Sequence, residues 1–334
     1  MTHLLQPIKI GTLNLKNRLV MPPMATSKSE ENGRISQAVI DYYNEKTQGG
    51  YISLVIIEHS FISQEGKASA RQLSIADDCF IDDLKKLSDT IHHNGSKAVM
   101  QINHAGSAAS RDITGLAPAA PSAILNPRVQ KGEIPKELSK SEIEAIIQSF
   151  KVAALRVKKA GFDGVEIHSA HGYLLNQFFS PLSNKREDEY GGDVLGRTKI
   201  HIEIIKAVRD AVGEDFPILL RLGSSDYREG GITISDSIVA APYFENAGVD
   251  LLDISGGFCG YIAPEHSEQG YFSPLTEAIK SVVSIPVILT GGITELAAAE
   301  KLLAEGKTDF VGVGRAILKD SNWAKNAIEN LKDI

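Results

Sequence analysis

The sequence has little cysteine, no long apolar segment and no excess of basic residues. Cys79 and Cys259 are the only cysteines among 334 residues, too few for a disulfide framework or an iron–sulfur cluster, and they predict reduced thiols. No apolar run approaches the ~20 residues of a membrane helix, and Met1–Gly11 lacks the pattern of a signal peptide. Acidic residues outnumber basic ones by 42 to 35, which argues against binding to nucleic acid or to an anionic membrane. We therefore expect a cytoplasmic protein.

The composition that is present is that of a folded protein with a large core. Hydrophobic residues make up 43% of the chain and charged residues 23%, which excludes a disordered or fibrous protein. A length of 334 residues fits one large α/β barrel or two smaller domains. No shift in composition and no linker divides the chain, so we predict one domain over residues 1–334.

Short apolar runs, rich in β-branched residues, recur eight times, and each has the length of a strand that is buried on both faces. Helical patterns separate most of them, as in Ser141–Lys159, where apolar residues repeat at helical spacing after a capping-box sequence, Ser139–Glu142. This alternation predicts a (β/α)8 (TIM) barrel. The runs are Leu19–Met24, Ile52–Glu58, Ala98–Ile102, Gly164–His168, Ile218–Leu222, Leu251–Ser255, Val287–Thr290 and Phe310–Gly314.

Two segments depart from this alternation. Ile8–Leu15 has the pattern of a small hairpin, which we expect to close the bottom of the barrel. Gly106–Leu138, after the third strand, is a long connection rich in alanine, proline, serine and glycine. Structureless connections of this length are usually lids or binding loops, and this one leaves the face at which such barrels carry their active sites. We therefore predict a binding loop there.

Polar residues and glycines follow the predicted strands, at the ends that converge on one site in a (β/α)8 barrel. Two glycine-bearing turns, Gly291-Gly292 and Gly314-Arg315, follow the seventh and eighth strands, where such barrels commonly bind phosphate. They predict a phosphate site, since glycine lets backbone N–H groups approach an anion and arginine binds two phosphate oxygens at once. The ligand is a phosphorylated substrate or flavin mononucleotide (FMN). The other strand ends contribute Pro22, Pro23, Met24, Ala25, Glu58, Gln101, Asn103, His104, His168, His171, Tyr173, Arg221, Ser255, Gly256 and Gly257.

The segment after the fourth strand combines His168 and His171 with Tyr173. Two histidines at this spacing suit either a metal or a substrate oxygen that accepts two hydrogen bonds. The second interpretation is favoured because no Asp, Glu or Cys adjoins them, although Glu166 and Glu58 are further candidate ligands. Tyr173 is a candidate proton donor. A Schiff-base aldolase is disfavoured because none of these strand ends carries a lysine.

Taken together, these motifs resemble the Old Yellow Enzymes, a family of flavin-dependent NAD(P)H oxidoreductases. The resemblance extends over nearly the whole chain and is most specific in Gln177–Arg186 and Asp188–Gly192, followed by Arg197. The other matching stretches are Leu5–Gly11, Leu15–Arg18, Pro22–Met24, Gln101–Gly106, Gly164–Leu175, Thr290–Ile293 and Gly312–Ala316.

The resemblance implies FMN at the mouth of the barrel and NADH or NADPH as the reductant. It implies that His168 and His171 bind the carbonyl oxygen of a substrate, and that Tyr173 protonates the α-carbon after hydride from flavin N5 reaches the β-carbon. The implied activity is ping-pong reduction of activated C=C bonds in enones, and of quinones or nitro compounds, by a homo-oligomer without a metal. The implied flavin contacts are Pro23, Met24, Ala25, Gln101, His168, Arg221, Gly291, Gly292, Gly314 and Arg315.

The sequence also departs from the family pattern. Ala25 stands where one branch has a flavin-tuning cysteine and others a threonine, Thr26 lies one position away, and Glu58 stands where some relatives have a small residue. Larger relatives that reduce dienoyl-CoA or demethylate amines carry a cysteine cluster and further domains, which this sequence lacks, so we expect electrons to arrive directly from the nicotinamide. The alternatives are an oxidoreductase of that larger type, a flavin-free phosphate-binding lyase or isomerase, and a flavin-binding module without activity.

Overall fold

The apolar runs form the strands of a closed barrel in the computed structural model, which describes residues 2–332. The strands are β1 Ile8–Ile10, β2 Leu13–Leu15, β3 Leu19–Met21, β4 Leu54–Phe61, β5 Lys97–Asn103, β6 Ala119–Ala120, β7 Lys136–Glu137, β8 Gly164–Ser169, β9 Ile218–Gly223, β10 Leu251–Ser255, β11 Val287–Thr290 and β12 Phe310–Gly312. Strands β3, β4, β5, β8, β9, β10, β11 and β12 pair in this order, all in parallel, and β12 pairs with β3. The predicted (β/α)8 class is confirmed. Met1, Asp333 and Ile334, part of the predicted domain, lie outside the described residues.

Helices alternate with the barrel strands and cover their outer faces. Their bounds are α1 Gln37–Thr47, α2 Ile81–His93, α3 Arg111–Thr114, α4 Lys140–Lys159, α5 Leu174–Phe179, α6 Val194–Val212, α7 Ile234–Ala247, α8 Ser273–Lys280, α9 Leu296–Ala304, α10 Arg315–Lys319 and α11 Trp323–Lys332. Helix α4 shows why these segments are helical. The Ser139 hydroxyl accepts the N–H of Glu142, whose carboxylate accepts the N–H of Ser139, which confirms the predicted capping box. No helix within residues 2–332 is long and apolar enough to span a membrane.

The inside of the barrel is filled by apolar side chains near the amino ends of the strands. The hairpin of β1 and β2 is antiparallel, as predicted, and it inserts three side chains into this interior cluster. The predicted closure of the bottom of the barrel is therefore confirmed. The cluster consists of Ile10, Leu13, Leu15, Val20, Leu54, Ile56, Val99, Leu219, Leu251, Ile288 and Phe310.

Several strand bounds differ from the predicted ones for local reasons. The first barrel strand ends at Met21 rather than Met24, because Pro22 and Pro23 lack the N–H groups that strand pairing needs. Strand β4 continues past Glu58 to Phe61, through an irregularity in its pairing with β5. The polar residues in this extension interrupt the apolar run from which the strand was predicted.

The long connection Gly106–Leu138 is not structureless, contrary to our expectation. It contains the one-turn helix α3 and the short parallel strands β6 and β7. These elements have two to four residues, too few to show a helical or a strand period in the sequence. The connection follows β5 at its carboxyl end, and part of it therefore borders the rim where the predicted site residues gather.

Candidate active site

The carboxyl ends of the barrel strands surround a cavity of about 420 Å³. Every residue that was predicted to bind the cofactor or to act in catalysis lines this cavity, because parallel strands of a barrel all end at the same rim. Of the other strand-end residues, Glu58, Asn103, His104 and Ser255 are buried outside the lining. The predicted residues that line it are Pro23, Met24, Ala25, Gln101, His168, His171, Tyr173, Arg221, Gly291, Gly292, Gly314 and Arg315.

The turn after β8 has an unusual backbone that holds His171 at the cavity. His171 has φ +60° and Gly172 has φ +78°, both in the left-handed region. A Cβ atom at position 172 would lie 2.8 Å from Arg128 and 3.0 Å from Phe258, so this turn requires glycine. The left-handed conformation costs a residue such as His171 about 1–2 kcal/mol. Two hydrogen bonds hold it there: the His171 N–H donates to the carbonyl of Gly256 (3.2 Å), and Arg128 Nη1 donates to the carbonyl of His171 (2.6 Å).

Four aromatic rings form a cluster on one side of the cavity. The ring centroids of His168 lie 5.1 Å from His171 and 5.2 Å from Tyr173, and the ring of His59 lies 5.3 Å from that of Tyr173. His171 Nε2 shares a hydrogen bond of 2.8 Å with the hydroxyl of Ser255, whereas Nδ1 of His168 is buried and has no hydrogen-bond partner among residues 2–332. Within the described chain, no group of three or more His, Cys, Asp or Glu residues is arranged to hold a metal ion.

Burial sets the protonation of this ring cluster. It lowers the pKa values of His168 and His171 well below 6.5, and the positive charge of Arg221 lowers them further. The pKa of His59 falls to about 4 for the same two reasons. Burial raises the pKa of Tyr173, so its hydroxyl keeps its proton at neutral pH. The cluster therefore offers neutral imidazoles, which donate hydrogen bonds without carrying charge, beside a protonated phenol.

The connection Gly106–Leu138 is fastened to the histidine turn by side chains of the most specific motif, Gln177–Arg186. Gln177 Nε2 donates to the carbonyl of Gly172 (2.7 Å), and its Oε1 accepts the N–H of Ser107 (2.9 Å). Arg186 Nη1 donates to two backbone carbonyls of the same connection, at 2.9 and 2.6 Å. These bonds satisfy buried polar groups at both ends of the connection. The motif therefore has a structural task, which is to hold this connection beside the cavity.

The two glycine-bearing turns follow the paired strands β11 and β12. A Cβ atom at Gly292, which has φ +70°, would lie 2.5 Å from the ring of Tyr271, and one at Gly291 would lie 2.9 Å from the same ring. Glycine is therefore needed here for the packing of Tyr271 as well as for access to the backbone. Arg315 Nη2 donates to the hydroxyl of Tyr271 at 3.3 Å. The arrangement puts a guanidinium beside the cavity-lining glycine turns, which fits a phosphate group.

The floor of the cavity carries an arginine with two donors that make no hydrogen bond within residues 2–332. Nε and Nη1 of Arg221 are buried without a hydrogen bond. Nη1 lies 3.0 Å from Oδ2 of Asp253, close enough for an ion pair, but the two groups are not oriented for a hydrogen bond. Gln101 lines the same floor. These groups fit the carbonyl-rich pyrimidine ring of a flavin, and the turns described above fit its phosphate.

Glu58 lies behind the wall of the cavity, where it fixes the backbone next to Ala25. Its carboxylate accepts the N–H of Thr26 (2.9 Å) and the hydroxyl of Thr26 (2.6 Å). Burial raises the pKa of Glu58 to about 7, although the two bonds from Thr26 oppose this rise. Ala25 itself lines the cavity. Both departures from the family pattern therefore belong to one hydrogen-bonded corner of the site.

Sequence reasoning missed four aromatic or charged side chains of the lining, His59, Arg128, Tyr261 and Tyr271. His59 directly follows Glu58, where the predicted strand ended. A prediction that extended this strand by one residue would have included His59 among the residues at the strand ends. The other three lie in connections between strands and helices, where no periodic signal exists. Their position in the cavity depends on tertiary contacts alone.

Comparison with known proteins identifies relatives over nearly the whole chain. A model of the NADH:flavin oxidoreductase / NADH oxidase family matches residues 3–333. The chain is 44% identical to an NADH oxidase from Thermoanaerobacter brockii, with 98% of this chain and 52% of that protein covered. It is 39% identical to an NADPH dehydrogenase from Clostridium acetobutylicum, with 93% of this chain and 90% of that protein covered. The chain thus spans about half the length of the first of these relatives.

A solved structure supports the same relationship. An old yellow enzyme homologue from Zymomonas mobilis superimposes with a TM-score of 0.84 at 26% identity, with 98% of this chain and 92% of that chain covered. The resemblance to the Old Yellow Enzymes that the sequence motifs predict is therefore confirmed. The chain belongs to the NADH:flavin oxidoreductase / NADH oxidase family.

Proposed function

We propose that this chain is an FMN-dependent oxidoreductase that uses NADPH or NADH to reduce activated C=C bonds. The observation that carries the proposal is that the phosphate turns and the cluster of His168, His171 and Tyr173 line the same cavity. Membership of the family supports a flavin, and the NADPH dehydrogenase relative supports a nicotinamide reductant. We assign the activity to one domain of residues 1–334, acting as a homo-oligomer in the cytoplasm.

The residues of the cavity fit FMN at both of its ends. Gln101 and Arg221 would bind the pyrimidine edge of the ring system. When bound, FMN supplies the chemistry that takes reducing equivalents from a nicotinamide and passes them to a second substrate. The phosphate would be held by Arg315 and by the backbone at the two turns, and the ring would lie against the first strand end; these residues are Gly291, Gly292, Gly314, Pro23, Met24 and Ala25.

His168 and His171 bind the carbonyl oxygen of the substrate. Both rings are neutral because they are buried, so each has one N–H group to donate, which in His171 is Nδ1–H when Nε2 accepts the hydroxyl of Ser255. Donors at this oxygen stabilise the negative charge that develops there when a hydride reaches the β-carbon of the adjacent double bond. Tyr173, in ring contact with His168, then donates its proton to the α-carbon. The hydride and the proton together convert the C=C bond to a saturated C–C bond.

The substrates we propose are small electrophiles. A cavity of about 420 Å³ is in the range of small-molecule sites, and the flavin itself takes part of it. Enones present one oxygen to the two histidines, and quinones and nitro compounds present equivalent oxygens. The same donors therefore serve all three classes of substrate.

The first experiment asks whether the phosphate turns bind FMN. The dissociation constants of FMN and of riboflavin, which lacks the phosphate, are measured by fluorescence quenching with the flavin-free protein. We expect FMN to bind more tightly than riboflavin. We expect Arg315→Gln to weaken FMN binding about tenfold or more, the value of a charge-assisted hydrogen bond, without changing riboflavin binding. Lys319→Gln, at the other end of the same short helix, is the matched control and should change neither.

The purified protein is also expected to be yellow and to release FMN on denaturation. Its visible absorbance should fall on anaerobic addition of NADPH or NADH. A protein that binds neither FMN nor riboflavin, or whose bound flavin neither nicotinamide reduces, would contradict the proposed function.

A further inference from the structure

The interior of the barrel changes from apolar to polar at one level, directly beneath the cavity. Side chains of a barrel strand alternate between inside and outside, so residues two apart both face inward. The apolar level contains Val99, Leu219, Leu251 and Ile288, and the residues two positions further along the same strands are Gln101, Arg221, Asp253 and Thr290. Glu166 on β8 also faces inward, at the boundary of the two levels, since it pairs in register with Gln101 on β5 and with Leu219 on β9.

Within the described residues, Glu166 has one hydrogen-bond partner, the cavity residue Gln101. Gln101 Nε2 donates to Glu166 Oε2 at 2.6 Å, and the two side chains are 1% and 0% exposed. Gln101 lines the cavity, whereas Glu166 does not. The second oxygen of Glu166, Oε1, is buried and has no hydrogen-bond partner in the described part of the chain.

A half-satisfied buried carboxyl group lowers stability, so its presence calls for a reason other than packing. Burial raises the pKa of Glu166 well above 4.5, and the nearby charge of Asp253 raises it further. Asp253 is itself held behind the lining, where Oδ1 accepts the hydroxyl of Thr290 at 3.1 Å and Oδ2 faces Arg221. Both carboxyl groups therefore lie behind polar groups of the cavity floor rather than in it.

The bond to Glu166 determines which end of the Gln101 amide the cavity receives. Because one N–H of Nε2 donates to Glu166, that end of the amide is turned toward β8, and the carbonyl oxygen is the acceptor that the amide offers on its other side. Arg221, on the strand next to Glu166, adds to the same floor its guanidinium, whose Nε has no hydrogen-bond partner among residues 2–332. The floor thus presents an acceptor and a donor to one ligand edge. A ring edge with an N–H group beside a carbonyl, as in the pyrimidine ring of a flavin, matches this pair.

We propose that Glu166 is a positioning residue that holds the Gln101 amide with its carbonyl oxygen toward the N–H group of the bound ring. This inference rests on the proposed function, because the ring it orients is that of FMN. Without an acceptor at position 166, the amide loses its buried partner and is free to rotate. Either amide end then faces the ligand, and the complementary orientation is no longer enforced.

The test is a double-mutant cycle on FMN affinity. We expect Glu166→Leu to raise the dissociation constant of FMN about tenfold, the equivalent of one net hydrogen bond. Glu166→Gln, which still offers an acceptor oxygen, should stay within about threefold of wild type. In a Gln101→Ala background, Glu166→Leu should have no further effect, because its influence passes through Gln101.

Asp163→Asn is the matched control. Asp163 directly precedes β8, at the opposite end of the barrel, and its carboxylate binds His92, Lys97 and the N–H of Ala98 at 2.6, 2.7 and 2.9 Å. Its replacement should lower the stability of the protein but leave FMN affinity unchanged. Glu166→Leu should weaken FMN binding without lowering the stability of the protein, because replacing a buried carboxyl group by an apolar side chain is often neutral or stabilising. Glu166→Met replaces Glu166→Leu if the latter does not fold.

Three outcomes would overturn the inference: an unchanged FMN affinity in Glu166→Leu, an equal loss in the wild-type and Gln101→Ala backgrounds, or a loss of affinity in Glu166→Gln as large as in Glu166→Leu. If even the wild-type protein binds no FMN, the proposed function fails. In that case the interaction between Gln101 and Glu166 is tested by denaturant unfolding of the four proteins, wild type, the two single variants and the double variant, without flavin. We expect the two substitutions to be non-additive by at least about threefold in the unfolding equilibrium constant. Additive effects would refute the interaction between Gln101 and Glu166.

Discussion

Replacement of Tyr173 by phenylalanine separates the proposed proton transfer from the other tasks of the site. The Tyr173 hydroxyl has no hydrogen-bond partner among residues 2–332, while its ring packs against His59 and His168 at 5.3 and 5.2 Å. Tyr173→Phe keeps these ring contacts and leaves no protein group unpaired. The free energy of unfolding should therefore change by less than about 1 kcal/mol.

The effect on catalysis should be much larger and confined to one half of the cycle. A positioned general acid contributes about 10²–10⁴-fold to the rate of a step that needs its proton. Anaerobic stopped-flow absorbance measures the two halves separately. We expect reduction of the bound flavin by NADPH to stay within about twofold of wild type, and its reoxidation by 2-cyclohexenone to slow by about 10²–10⁴-fold. Reoxidation by p-benzoquinone, which needs no proton on carbon, is the internal control. An equal slowing of both halves, or no slowing at all, would refute the assignment.

Three further predictions test other parts of the site. Replacing His168 and His171 together by alanine should abolish the charge-transfer band that phenols give with the bound flavin, and a band of wild-type intensity would remove their assigned role. Gly292→Ala should lower the free energy of unfolding by about 1–3 kcal/mol and weaken FMN binding, since its Cβ would lie 2.5 Å from a tyrosine ring. Gly306→Ala is the control, because Gly306 has the same φ of +70° but its Cβ would have no atom within 4 Å. Its effect measures the cost of the backbone conformation alone. The pKa of Glu58 is raised from 4.5 to about 7, so its contribution to stability is complete below pH 4.5 and is lost as the pH rises to about 7, a change of about 3 kcal/mol. Urea unfolding from pH 4.5 to 8 should show this loss in wild type and not in Glu58→Gln, and parallel pH curves for the two proteins would contradict the raised pKa.

The barrel was predictable from the sequence because its signal is local. A parallel strand that is buried on both faces gives a continuous apolar run, and the predicted bounds of Leu251–Ser255 and Val287–Thr290 are those of β10 and β11. The signal weakens where a strand carries functional side chains. Strand β4 extends beyond its apolar part through Glu58 and His59. A prediction based on continuous apolar residues ends the strand at such polar positions.

The site was predictable only as far as it is built from strand ends. Gln101, His168 and Arg221 follow from the rule that such ends converge. The loop residues Arg128 and Tyr271 reach the cavity through hydrogen bonds to backbone and side-chain groups far away in sequence, which no local pattern encodes.

The polar level beneath the cavity lies between these two cases. On several strands, its residues stand two positions after a residue of the apolar level. Once the strands are known, the sequence therefore predicts that Glu166 and Asp253 face inward. Which partner each carboxyl group meets depends on the pairing of the strands. Only the folded barrel shows that Glu166 meets Gln101 and that Asp253 meets Arg221.

The central claim is that one cavity holds a flavin, accepts reducing equivalents from a nicotinamide and passes them to a C=C bond. The most direct measurement is an anaerobic titration of the purified, FMN-loaded protein followed by visible absorbance. We expect one equivalent of NADPH or NADH to bleach the flavin, and one equivalent of 2-cyclohexenone to restore its colour with formation of cyclohexanone. A flavin that neither nicotinamide bleaches, or one that is bleached but never restored by the enone, would contradict this account.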